Sequence, residues 1–263
     1  MTGEPKLKII LTHDIDWPPA GPGLNHVLAR RDRFDASTIE KAVREGFNPY
    51  NNIDLLMEME GSRGLRSTFF FRPRYDDGTP VASYADSIRK LESEGWEVGV
   101  HVNDSRSLES LLSERREVGS YCSEPPRGCR AHYLRLDKES HSYMRRAGFD
   151  YDSSLMFSKT EILPKNAGFF TVDGLVVFPI TIMDTYLFTY MGVSEENVVE
   201  VVDGAIDTCI DRQCMTILWH DSSLLMKGGR VYSQLCELVA ARDDVECMTA
   251  RDALLSLPEG VRR

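Results

Sequence analysis

Apolar positions along the chain recur with two periods. Short runs rich in β-branched and aromatic residues alternate with stretches whose apolar residues fall at i, i+3 and i+4. The first pattern predicts strands at 7–12, 67–71, 96–100, 175–180 and 215–219, with weaker ones near 129–133 and 150–155. The second predicts helices over 37–45, 53–60, 82–94, 108–121, 138–147, 195–209 and 231–241. Strands alternating with helices make a mostly parallel sheet, and about seven such units approach closure. The expected fold is therefore α/β, a distorted (β/α) barrel, complete or incomplete, of about seven parallel strands. With no repeat, low-complexity tract or linker, residues 1–263 read as one domain.

Polar residues gather where the predicted strands end. Asp14 and Asp16 follow the first, Arg72 the second, His101 the third, Arg130 and His132 the fourth, Asp152 the fifth, Asp184 the sixth, and His220 with Asp221 the last. In (β/α) barrels this is the rim that carries catalytic groups, because the loops after each strand converge there. If the chain stays extended, Asp14 and Asp16 share one side and His13 takes the other. Two such carboxylates repel unless a cation or a shared proton relieves them; a turn in which they cap backbone amides is the plainer alternative. His101 and His220 arrive at the rim on strands, where each fits a metal site or a packed structural role. Arg130 and His132 also lie two apart, and an Arg there can clamp a carboxylate; taken alone, they read equally as a surface ion pair beside a packed His.

Composition narrows the class. With 42% hydrophobic and 27% charged residues the chain suits a packed globular core. Its net charge of −10 disfavours nucleic acid and anionic membrane partners. No stretch approaches the ~20 apolar residues of a membrane span. The N-terminal segment has a short apolar run ending in charges rather than a signal-peptide pattern, so a cytoplasmic location is expected. The six cysteines form no C-x-x-C pair and read as reduced, partly buried thiols. Neither G-x-S-x-G nor H-E-x-x-H occurs. Phe69, Phe70 and Phe71 read as barrel core, Gly21-Pro22-Gly23 as a loop, and Asn103-Asp104-Ser105 as a sequon without meaning in the cytoplasm. His141 is placed exposed on a helix, and His26 on a loop able to reach the rim.

Taken in order, these segments resemble the polysaccharide deacetylase family, carbohydrate esterase family 4, from the first strand to His220. Asp14-Ile15-Asp16 matches its first motif, Thr68-Phe69-Phe70 a T-F-F segment, and Gly95 to His101 a Gly-x-Glu-[IV]-Gly-x-His pattern. Arg130 opens its third motif, and Leu218-Trp219-His220 matches the terminal Leu-x-His. Two positions depart from the family. Ser105 stands where a second His is usual, and Arg130-Ala131-His132 replaces Arg-x-Pro. Both departures resemble a divergent branch with H-D-x-D and R-x-H-Y-L-R motifs, often predicted to deacetylate surface-polysaccharide precursors.

The resemblance implies metal-dependent hydrolysis of an N-acetyl or similar N-acyl group on a sugar. In that reading Asp14 is the base, Arg130 orients it, and His220 protonates the leaving amine. Asp16 and His101 bind a divalent ion, with His132 the expected third ligand and His26, Asn103 or Asp104 the alternatives. Mixed N/O ligation favours zinc, with cobalt, nickel and manganese compatible. The alternatives are a metal-dependent amidase acting on a small cyclic or linear amide, and an inactive barrel that binds a glycan. The sequence leaves the sugar and the oligomeric state open.

Overall fold

A computed structural model describes residues 6–261, so the first five residues of the N-terminal pattern lie outside it. The described strands are β1 (Leu7–Ile15), β2 (Thr68–Phe71), β3 (Glu97–Val102), β4 (Gly128–Ala131), β5 (Tyr151–Asp152), β6 (Phe170–Val172), β7 (Leu175–Val177), β8 (Ile180–Met183), β9 (Cys214–Leu218) and β10 (Val245–Met248). They form one sheet in the order β6-β7-β5-β4-β3-β2-β1-β9-β8, with β10 beside the first half of β1. Every pairing is parallel except that of β6 with β7. The helices are α1 (Leu24–Ala29), α2 (Ala36–Glu45), α3 (Ile53–Gly61), α4 (Ala85–Ser93), α5 (Leu108–Gly119), α6 (Ser140–Arg146), α7 (Asp184–Thr189), α8 (Val198–Cys209), α9 (Tyr232–Ala241) and α10 (Ala250–Leu255).

The expected seven strand positions are β1 to β5, the β7–β8 segment and β9, and the distortion lies in that segment. The predicted strand at 175–180 breaks at Pro179, which has no N–H to give a ladder. Its first half pairs with β5 and its second half with β9. Across the break the amides of Phe178 and Ile180 still donate to Asp152 O (2.9 Å) and Leu155 O (2.7 Å). The segment thus serves both edges of the curled sheet. The sequence pattern did not anticipate β6, β10 or the short helices α1, α7 and α10. Each spans at most six residues, too short for a period to register.

Burial on both faces explains the near-continuous apolar character of β1. Leu7, Ile9, Leu11 and Ile15 join the core beneath the helices, whereas Ile10 joins a separate cluster with Phe70, Tyr151, Phe178 and the inner side of α10. That alternation gives the barrel an inside and an outside. Two glycines make the inside fit. A Cβ on Gly99 would lie 2.5 Å from the Phe70 ring, and one on Gly128 would lie 1.8 Å from the Tyr151 ring. The strands' registers set these pairs side by side, Phe70 with Gly99 and Gly128 with Tyr151. A buried carboxylate closes the lower end, where Glu97 accepts from Thr68 Oγ1 (2.7 Å), Tyr151 OH (2.9 Å) and the Arg251 amide of α10 (2.8 Å).

Candidate active site

The upper end of the barrel opens into a cleft of about 580 Å³ lined by Asp14, Asp16, His101, His132 and His220. Asp14 lies inside β1 rather than after it, and Asp16 is the first residue beyond the strand. As the alternation requires, His13 faces away. Its Nδ1 is 2.6 Å from Trp219 O and its Nε2 2.7 Å from Glu60 Oε1, while Glu60 also accepts from Ser67 Oγ, Trp96 Nε1 and Tyr232 OH. This buried network fastens β1 to the end of β9, next to His220.

Asp14 is clamped. Arg130 is fully buried and donates through Nη1 to Asp14 Oδ1 at 2.8 Å and to Thr12 Oγ1 at 3.0 Å. Its Nε and Nη2 donate to Ser153 O and Ser153 Oγ, both at 2.7 Å, and the guanidinium lies 4.6 Å above the Phe70 ring. The surface ion pair considered for Arg130 is therefore overturned. Burial works against ionisation of Asp14, but the Arg130 charge, with His101 and His220 beyond it, holds the carboxyl below its ordinary value. Ser153, which no motif signals, is the residue that fixes the clamp.

Asp16, His101 and His132 each point a potential ligand atom into one volume, all within 4.8 Å of one another. His101 Nδ1 is 2.9 Å from Arg130 O, an acceptor, so this nitrogen carries the proton and Nε2 presents its lone pair. That Nε2 is 3.2 Å from Asp16 Oδ1 and 3.1 Å from His132 Nδ1. Asp16 Oδ1 is buried without a hydrogen-bond donor. Burial outweighs the Asp16 hydrogen bond and charge and keeps the His132 pKa below its ordinary value, which favours the neutral form that ligates. Convergent lone pairs around an unpartnered carboxylate oxygen fit a divalent cation. His132 follows the extended Ala131 (φ −72°, ψ 129°), so the two-residue extended step from Arg130 sends it toward Asp16 and His101, as expected. β4 ends at Ala131, and beyond His132 the chain turns through two left-handed residues, with φ of 57° at Tyr133 and 55° at Leu134.

The alternative ligands lie elsewhere. His26 sits on α1 rather than a loop, stacked 4.8 Å from Trp17 and 5.4 Å from Tyr50. Asn103 binds Arg72 Nε and Arg74 O, and Asp104 Oδ1 accepts from Arg106. Ser105 is buried and donates to Arg135 O at 2.6 Å, bracing the turn that carries His132.

His220, two residues beyond β9, faces the Asp16, His101 and His132 cluster, its Nε2 3.8 Å from Asp16 Oδ2. Its Nδ1 meets Asp184 Oδ1 at 2.7 Å, and Asp184 also accepts from the His220 amide and Ser223 Oγ. Burial would lower the His220 pKa, yet the Asp184 charge and hydrogen bond, then Asp16 and Asp14, push it up to about 10. Two other rim residues differ from expectation. His141 is partly buried and holds Asp152 at 3.2 Å. Asp221 points its carboxyl into the interior, where burial raises its pKa well above the ordinary value.

No family model matches this chain, and no curated protein is significantly similar to it in sequence. Solved structures do match its fold. A candidate polysaccharide deacetylase from Mycobacterium smegmatis superposes with a TM-score of 0.63 at 17% identity, over 96% of this chain and 91% of the other. A peptidoglycan N-acetylglucosamine deacetylase gives 0.55 at 12% identity, over 94% and 88%. A 4-alpha-glucanotransferase from Thermococcus litoralis gives 0.58 at 14%, over 96% of this chain and 41% of its own. The chain thus has the fold of solved polysaccharide deacetylases, as its motifs led one to expect. A glucanotransferase shares that fold, so activity has to be argued from the site.

Proposed function

We propose that this protein is a metal-dependent hydrolase that removes an N-acetyl or similar N-acyl group from a sugar. The observation that carries the reading is the meeting in one cleft of three parts: the Asp16, His101 and His132 ligand set, the Arg130-clamped Asp14, and the Asp184-paired His220. A divalent cation held there, with zinc favoured by the N/O donors, would polarise the acyl carbonyl and ease deprotonation of the attacking water. Asp14 takes the water proton, and Arg130 keeps it ionised to do so. His220, protonated at neutral pH, gives its proton to the departing nitrogen, and acetate and the amino sugar leave. A cytoplasmic site of action fits six thiols that are all free in the structure.

The test is a screen of N-acetyl sugars and nucleotide sugars for acetate release. Activity should vanish with a chelator and return with a divalent metal. Protein without about one metal equivalent would point to an inactive barrel, and ring opening of a cyclic amide in place of acetate release would point to an amidase.

The acid role makes a second prediction. His220→Ala should lower kcat about 10²-fold with little change in KM, since amine protonation is felt only in the transition state. In the unaltered enzyme burial is outweighed by the Asp184 charge and hydrogen bond, which raise the His220 pKa, so the acid form persists through neutrality and is lost at alkaline pH. Asp14 must be ionised, so the acid limb falls below the ordinary carboxylate value. The pH profile should therefore be flat through neutrality, and the variant should lose the alkaline limb. Near-normal kcat in His220→Ala would assign the residue to packing.

A further inference from the structure

The cleft's charge is opposite to that of the chain. Its carboxylates are Asp14 and Asp16, both at the floor, while its rim carries Arg30, Arg33, Arg135 and Lys159. These cations come from three separate segments: Arg30 and Arg33 from the end of α1 and the turn after it, Arg135 from the turn after β4, and Lys159 from the loop after β5. All four are exposed, and among the described residues none has a carboxylate within 4.0 Å. Carboxylates are plentiful elsewhere, in a protein of net charge −10. Arg230 alone engages Asp35 and Glu195, and Arg242 engages Asp203, Asp207 and Asp244. Three of them meet neutral neighbours instead. Arg135 lies 4.8 Å over the Tyr133 ring, Lys159 lies 5.6 Å over both Tyr186 and Tyr190, and Arg30 Nη1 is 3.2 Å from His26 Nδ1. Two consecutive left-handed residues, Tyr133 and Leu134, hold the Arg135 turn in a conformation that costs free energy and is characteristic of binding sites.

Four cations without carboxylate partners around a cleft focus a positive potential on whatever enters it. We propose that the substrate is an N-acylated sugar that also carries an anionic group, a phosphate or a carboxylate, engaged by Arg30, Arg33, Arg135 and Lys159 while the acyl group lies over Asp14. This inference rests on the deacetylase reading for the acyl group, but the anion preference can be measured without turnover.

The experiment is calorimetric titration of the protein, with its resident metal, using N-acetylglucosamine, N-acetylglucosamine 6-phosphate and N-acetylmuramic acid. At low salt at least one anionic sugar should bind about tenfold more tightly than the neutral one, and which of the two gains identifies phosphate or carboxylate as the group recognised. The gap should close in roughly 0.5 M salt and in the doubly substituted Arg30→Gln, Arg135→Gln protein, whose exposed changes leave the core untouched. Equal affinities, no binding by any of the three, or a preference that survives both salt and substitution would overturn the proposal. Metal content and acetate release are scored separately. A metal-loaded, acetate-releasing enzyme indifferent to charge refutes this inference alone, whereas an anion-selective cleft that releases no acetate refutes the deacetylase reading alone.

Discussion

Asp14→Asn is expected to reduce turnover about 10²- to 10⁴-fold, the usual range for loss of a general base, while metal stays bound at about one equivalent. The asymmetry of the Asp pair is the reason. Asp14 Oδ1 is committed to Arg130 at 2.8 Å, and the ligand cluster is formed by Asp16, His101 and His132 without it. Asn keeps an oxygen for Arg130, so the buried guanidinium retains an acceptor and the fold should survive. It cannot take a proton from water. Kinetics and metal analysis on the same preparation decide the matter. Parallel loss of metal and activity would show that Asp14 is a ligand and that the roles within the pair are reversed.

Residues placed by strand alternation were legible in the sequence. Asp14 and Asp16 fall on one side of β1 and His13 on the other because a strand has period two, and apolar neighbours announced the strand. His101 and His220 were legible for the same reason. Pairings between distant segments were not. Asp184 was visible as a polar residue at a strand end, but its bond to His220 needs the bend at Pro179 that turns the sixth strand toward β9. Ser153 looks like any loop serine until β5 lies beside β4. The rim cations were invisible as a group, since positions 30, 33, 135 and 159 share no motif and each alone is an ordinary surface charge. His132 was legible by the same alternation: it lies two residues beyond Arg130, and the extended Ala131 between them sends Arg130 to Asp14 and His132 to the Asp16 and His101 pair.

The second large effect is expected at His132. His132→Ala is expected to lose most of the bound metal and to lower activity more than about 100-fold at ordinary metal concentrations, beyond the 10- to 100-fold typical of residues that merely support a ligand. A catalytic ion of the proposed kind takes three protein ligands, and Asp16 with His101 would supply two. Ser105, at the position where the related motif places a His, is spent on Arg135 O and so lies outside the cluster. In the proposed site His132 Nδ1, 3.1 Å from His101 Nε2 and 3.4 Å from Asp16 Oδ1, would supply the third. The comparison variant is His26→Ala, which lines the same cleft but stacks on Trp17 and Tyr50 away from the cluster, and it should keep its metal. If excess metal restores His132→Ala, the loss is one of affinity, as a ligand role requires. Full metal occupancy in His132→Ala together with loss of metal in His26→Ala would exchange their roles and remove the turn after β4 from the metal site.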